Sequence, residues 1–97
     1  MITSKQRSYL RGLANTIEPI FQVGKNGIDE PFLKQVEDAL EARELIKLKV
    51  LNNSGIEARE ASDIICEEVK CDGVQAIGST FILYKKSKNK SKIELPR

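Results

Sequence analysis

The segment DEPFLKQVEDALEARELIKLKVL, residues 29–51, contains the change of period that decides the fold. In its first half Phe32, Leu33, Val36, Ala39 and Leu40 recur at steps of three and four. That spacing buries one stripe of a helix and leaves Lys34, Glu37, Asp38 and Glu41 in water. Asp29 is placed to cap the helix, Glu30 suits its positive end, and Pro31 falls in the first turn, where a missing amide proton costs nothing. From Leu45 to Leu51 the step becomes two, with Ile46, Leu48 and Val50 on one side and Lys47 and Lys49 on the other. A helix thus feeds a strand with one apolar face and one basic, wet face.

The flanking sequence extends the alternation. Upstream, Ser4 is read as the N-cap of a helix to about Ala14, with Tyr9, Leu10, Leu13 and Ala14 on its apolar side and Lys5, Arg7 and Arg11 toward solvent. Ile17 to Val23 reads as a short strand opened by Pro19 and ended by the tight loop Gly24-Lys25-Asn26-Gly27. Downstream, Asn52 to Gly55 is turn material, and Ile56 to about Lys70 returns to helical spacing, with Gly73 after its C-cap. Val74 to Ile77 and Thr80 to Lys86 form two strands joined by Gly78-Ser79, a pair suited to a type II′ hairpin. The order α-β-α-β-α-β-β predicts an α/β chain of the two-layer α+β kind. Its four-stranded mixed sheet carries helices mainly on one face and leaves the other partly open.

A length of 97 residues allows one domain, 1–97, with a basic C-terminal segment 87–97 that is expected to be mobile at least in part. The chain has no His, which removes the commonest general acid/base and the usual zinc ligand, so neither a catalytic triad nor a hydrolytic metal site is expected. Cys66 and Cys71 lie five apart, matching neither a CxxC motif nor a metal-ligand set, and read as free thiols of a cytoplasmic protein. Tyr9 and Tyr84 read as packing residues. No apolar run approaches the length of a membrane span and no secretory signal is recognisable, so no membrane association, metal or cofactor is expected.

The net charge of +2 hides an uneven distribution. Residues 1–16 carry Lys5, Arg7 and Arg11 with no acid, residues 85–97 carry Lys85, Lys86, Lys88, Lys90, Lys92 and Arg97 against Glu94, and the body between them is acidic. Single-sign clusters of this kind attract a polyanion when the fold brings them together. The alternative for the C-terminal lysines is a solubilising tail.

Gly24-Lys25-Asn26-Gly27 is the sharpest local motif. Two glycines around a basic and a polar residue let the backbone turn closely and expose its amides, an arrangement able to clamp successive phosphates of an RNA strand, as GXXG loops do. The amides opening the following helix would add to such a site. The same tetrapeptide also serves as an Asn-Gly turn made for geometry alone.

The chain as a whole resembles the YhbY family, the stand-alone bacterial form of the CRM (chloroplast RNA splicing and ribosome maturation) domain. The likeness rests on Thr3-Ser4-Lys5-Gln6-Arg7, Leu10-Arg11-Gly12-Leu13-Ala14, Val23 to Gly27, Glu44 to Val50, Val74 to Gly78, Phe81 to Lys85 and Leu95-Pro96-Arg97 in that order. The resemblance implies an RNA-binding fold similar to the C-terminal domain of translation initiation factor three. It also implies a part in maturing the large-subunit ribosomal RNA precursor, with ribosomal proteins as possible neighbours. Carried over residue by residue, it assigns RNA binding to Gly24, Lys25, Asn26 and Gly27 and to the basic residues Lys5, Arg7, Arg11, Lys47 and Lys49. Lys85 and Lys86, at the start of the basic C-terminal stretch, are less firmly implied contributors.

The reading is therefore a non-catalytic RNA-binding module. A protein-docking module using the acidic helices, through Glu37, Asp38, Glu41 and Glu44 and through Glu57, Glu60, Glu67 and Glu68, is the alternative. The bland explanation of those carboxylates is a solvated helix surface.

Overall fold

The computed structural model describes residues 2–89 and 91–97. Met1 and Lys90, the latter counted above among the C-terminal lysines, lie outside the described residues. Three helices and four strands follow in the expected order: α1 Ser4–Ala14, β1 Pro19–Val23, α2 Glu30–Arg43, β2 Leu45–Val50, α3 Ala58–Val69, β3 Asp72–Ile77 and β4 Thr80–Tyr84. A short 3₁₀ turn, Asn52–Ser54, precedes α3.

The cap of α1 is Thr3, one residue before the expected Ser4. Thr3 Oγ1 accepts the Gln6 amide at 3.1 Å and Gln6 Oε1 accepts the Thr3 amide at 3.0 Å. This reciprocal box needs an acceptor three residues after the cap. Gln6 supplies one to Thr3, whereas Arg7 would offer Ser4 none. In α2 the cap is Asp29, as its position suggests, with Oδ1 accepting the Phe32 amide at 3.0 Å.

The sheet has the order β1-β2-β4-β3. β1 and β2 are parallel, and β4 is antiparallel to both its neighbours, so the sheet is mixed. Gly78 takes φ 59°, the left-handed value the first corner of a II′ turn requires. The Thr80 hydroxyl donates to Ile77 O at 3.1 Å and tightens that hairpin.

Period-two alternation sorts the strands into two cores. Val23, Ile46, Leu48, Phe81 and Leu83 meet α2 and α3 on the first face, packing with Val36, Leu40 and Ile65. Leu45, Val74, Ile82 and Tyr84 point to the second face, where Leu10 and Ala14 of α1 cover them together with Ile17, Ile93 and Leu95. Two helices therefore share one face, while α1 and the C-terminal residues cover the Leu45/Tyr84 half of the other. Among the described residues, the Lys49/Thr80 half stays open.

Tyr84 is buried, in keeping with a packing role, but Tyr9 is 44% exposed and Leu13 36%. The buried stripe of α1 is centred on Leu10 and Ala14, so Tyr9 and Leu13 fall on its flank, where the phenol keeps its contact with water.

Candidate nucleic-acid interface

The loop is positioned by the parallel pair. Val23 and Val50 are register partners, and the Leu51 amide donates to Val23 O at 2.9 Å, after which the chain leaves the sheet at Gly24. The Gly27 amide donates to Gly24 O at 3.0 Å and closes a turn with Lys25 and Asn26 exposed at its corners. The two glycines are there for different reasons. Gly27 has φ 70°, which L side chains rarely adopt, so the turn itself requires it. Gly24 has no such φ, and a Cβ there would meet only Leu51 Cδ1 at 3.6 Å, an ordinary contact. The fold tolerates a side chain at Gly24, so a need for bare backbone there would come from whatever approaches it. A shallow cavity of about 320 Å³ lies over this loop, bounded also by Gln22, Phe32 and Gln35.

The N-terminus of α2 adds less than the sequence suggests. The Phe32 amide is taken by Asp29 Oδ1 and the Leu33 amide by Asp29 O, Pro31 has no amide proton, and Glu30 adds a carboxylate to the first turn. The Phe32 and Leu33 amides are thus engaged from within, and the positive pole of the helix already has two acidic side chains beside it.

Lys47 and Lys49 project from β2 to the second face, opposite Ile82 and Thr80 of β4. Lys49 is exposed and Lys47 half-buried. Lys49 stands at the same end of the sheet as the loop, and the Val50 amide donates to Ser79 O at 2.7 Å, bringing the β3–β4 hairpin to that end too. Lys25 and Lys49 therefore lie at one end of the sheet, with Lys47 two residues further along β2 on the same face as Lys49. On α1, Lys5 and Arg11 are exposed, and Arg11 lies one turn beyond Arg7 on the same flank. Arg7 Nε donates to Gly73 O at 3.2 Å, so part of its donor set ties α1 to β3.

Lys85 and Lys86 lie elsewhere. They follow β4, whose five residues run away from the loop, placing them about 17 Å toward the opposite end of the sheet. Lys85 Nζ donates to Val69 O at 3.0 Å, neutralising the carbonyl end of α3, and Lys86 is exposed beside the C-terminal segment. One cation the sequence reading missed is Arg59, which lines a cleft of about 420 Å³ with Arg7, Asp63 and Gln75. No spacing in the sequence links Arg59 to Arg7; only the packing of α1 and α3 beside β3 does.

Two carboxylates at the C-terminal end of α2, Glu41 within it and Glu44 at its C-cap, are committed inside the chain. Glu44 is fully buried, and its carboxylate accepts the backbone amides of Ser87 at 2.8 Å, Ile93 at 2.8 Å and Lys92. Burial by itself would raise its pKa, but the amides of Lys92, Ser87 and Ile93 together more than offset this and hold the carboxyl below its ordinary range. Glu41 is also held low, first by the Lys88 amide at 3.0 Å, then by the Ser87 hydroxyl at 2.7 Å and the Asn89 amide at 3.1 Å. Of the remaining α2 acids, Asp38 pairs with Lys34 Nζ at 3.1 Å and Glu37 lies 3.9 Å from it.

The thiols form a local pair. Cys71 Sγ donates to Cys66 Sγ at 3.5 Å, and both are half-buried. Among the described residues no group of three or more His, Cys, Asp or Glu side chains is arranged to hold a metal ion. Among them, too, no helix is long and apolar enough to cross a membrane.

Comparison of this chain and its fold with known proteins gives the family. The chain belongs to the CRS1/YhbY (CRM) domain family, whose model matches residues 2–85. It is 45% identical to a Bacillus subtilis protein named "Probable RNA-binding protein YqeI", over 99% of this chain and 100% of that one. A Haemophilus influenzae protein named "RNA-binding protein" is 38% identical over 99% of this chain and 96% of its own length. The solution structure of SAV1595 from Staphylococcus aureus superposes with a TM-score of 0.78 at 44% identity, covering 99% and 100% of the two chains.

Proposed function

We propose that this protein is a non-catalytic RNA-binding module that holds an RNA backbone at the Gly24–Gly27 turn and the adjacent basic sheet face. Its RNA on this reading is the large-subunit ribosomal precursor, met during ribosome assembly in the cytoplasm. The observation that carries the reading is Gly24, a glycine the fold does not require, next to an exposed Lys25 and on the same end of the sheet as Lys49. Phosphate contacts would supply affinity and position, and the shape of the RNA its selectivity. The names of the relatives support RNA as the ligand class; the ribosomal target follows from the family resemblance. The docking alternative is weakened by Glu41 and Glu44, which are spent on the chain's own C-terminal segment.

The test is crosslinking of the protein in its native cells with sequencing of the bound RNA, alongside the Lys25→Ala and Gly24→Val variants. Enrichment of precursor large-subunit RNA that both variants lose is the expected result. Absence of reproducible RNA enrichment for the wild-type protein would overturn the proposal.

A further inference from the structure

The open half of the second sheet face carries a row of side chains spanning all four strands. Gln22 of β1 is the register partner of Lys49 of β2, Lys49 of Thr80 of β4, and Thr80 of Ile77 of β3. All four point away from α2 and α3, because their neighbours Val23, Val50, Phe81 and Ala76 pack on that side. Ile77 is 64% exposed, more than any other large apolar side chain among the described residues. Isoleucine left in water at that level, on an otherwise polar row, has no packing role in the fold.

We propose that the row Gln22–Lys49–Thr80–Ile77 receives the bases of a single-stranded RNA segment whose phosphates are held at the neighbouring Gly24–Gly27 turn. The inference rests on the RNA-binding reading above and deepens it by naming the strandedness of the ligand and the residues that touch bases.

Three lines of geometry support it. First, Gln22 and Lys49 lie one residue before the parallel pair Val23/Val50 that launches the loop, so strip and loop are continuous. Second, at a strand spacing of about 4.8 Å the row spans about 14 Å, room for two or three unstacked bases on a four-stranded sheet. Third, its chemistry is mixed in the way a base needs. The Gln22 amide offers donors and an acceptor to a base edge, the Thr80 oxygen can accept while its proton goes to Ile77 O, and the Ile77 side chain covers an apolar base face. Lys49 brings positive charge, and the row contains no carboxylate to repel the strand. A continuous duplex keeps its bases stacked inside and presents mainly phosphates and 2′-hydroxyls, so it cannot lay base faces on this strip.

The experiment measures binding of the full chain to a labelled single-stranded oligouridylate and a labelled RNA duplex, each of roughly 12 residues per strand, across a salt series. The variants are Gln22→Ala/Ile77→Ala and, separately, Lys25→Ala. Both altered row positions are exposed, and thermal melts check that each variant stays folded. The expected result is a loss of about fivefold or more in single-strand affinity for the row variant, with unchanged salt slope and unchanged duplex binding. Lys25→Ala should weaken both ligands and reduce the slope. If Lys25→Ala weakens binding but the row variant matches wild type, the base strip is overturned while the loop reading stands. Equal loss on duplex and single strand, or a reduced salt slope in the row variant, would likewise overturn base contact. No effect from either variant would remove the loop reading and the strip with it.

Discussion

The buried carboxylate of Glu44 accepts the backbone amide of Ser87 at 2.8 Å, joining the end of α2 to the chain just beyond β4. Glu44 has φ 67°, a value glycine would adopt without strain at a helix C-terminus. Glutamate there costs backbone energy, and the return is a side chain that satisfies three amides of a segment with little apolar surface of its own.

Replacing Glu44 with Gln puts an NH₂ group against amide donors and leaves part of that cluster unsatisfied. Glu44→Gln is expected to lower unfolding stability by about 3 kcal/mol. It should also speed hydrogen exchange at the amides of Ser87, Lys92 and Ile93. Urea denaturation with amide exchange checks both, and wild-type values in each would contradict the clamp.

The same carboxylates set an acid limit. Glu41 and Glu44 are both held below the ordinary glutamate value of 4.5 in the folded chain, so the unfolded chain binds their protons more readily. Their stabilisation is fully present above pH 4.5 and is lost as the pH falls through the lowered folded values. Thermal melts from neutral pH downward should show an acid limb that is shallower in Glu44→Gln. A limb of equal steepness in both proteins would rule out Glu44 as a contributor.

The two loop glycines should separate stability from binding. Gly27→Ala, at φ 70°, is expected to cost about 1–2 kcal/mol of stability. Gly24→Ala should stay within about 0.5 kcal/mol of wild type while weakening RNA binding, because its methyl group fits the fold but stands where a phosphate would approach. Paired denaturation and binding curves decide this, and intact affinity in Gly24→Ala would count against close phosphate approach.

Position in the fold predicts which lysines matter. Lys25→Ala and Lys49→Ala should each lower the magnitude of the salt slope for single-stranded RNA by about 0.7. Lys86→Ala, at the far end of the sheet, should leave it unchanged. A slope that responds to Lys86 but not to Lys25 would move the binding region to the opposite end.

The thiols should differ in reactivity. The hydrogen bond from Cys71 lowers the Cys66 pKa against the opposing effect of burial, while donating that bond and being buried both raise Cys71. Cys66 should therefore be alkylated by iodoacetamide ahead of Cys71. Peptide mass spectrometry over a time course reads the order, and faster labelling of Cys71 would reverse the assignment.

Much of the fold was legible because its elements are stated locally. The stripe from Phe32 to Leu40, the alternation from Leu45 to Val50 and the Asp29 cap each need only a few neighbouring residues to be read. Glu44 was not legible. Its carboxylate places it with the solvated acids of α2 even though four residues after Leu40 is the buried side, and its partners Ser87, Lys92 and Ile93 lie more than forty residues along the chain. Tyr9 was misread because apolar spacing defines a stripe without saying which of its edges the protein covers. The loop itself stood out in the sequence, but the distinction between Gly24 and Gly27 required backbone angles and the position of Leu51.

The sequence by itself determined the order of helices and strands, the two-sided character of β2 and the identity of the GxxG turn, because periodicity, capping and turn chemistry act over a few residues. Only the tertiary structure decided which charges share a surface. Parallel pairing of β1 and β2 places Lys25 at the same end of the sheet as Lys49, the antiparallel course of β4 carries Lys85 and Lys86 to the other end, and α1 with the C-terminal segment covers one half of a sheet face. Those outcomes depend on strand order and on where apolar side chains from distant segments find one another, which no local pattern specifies.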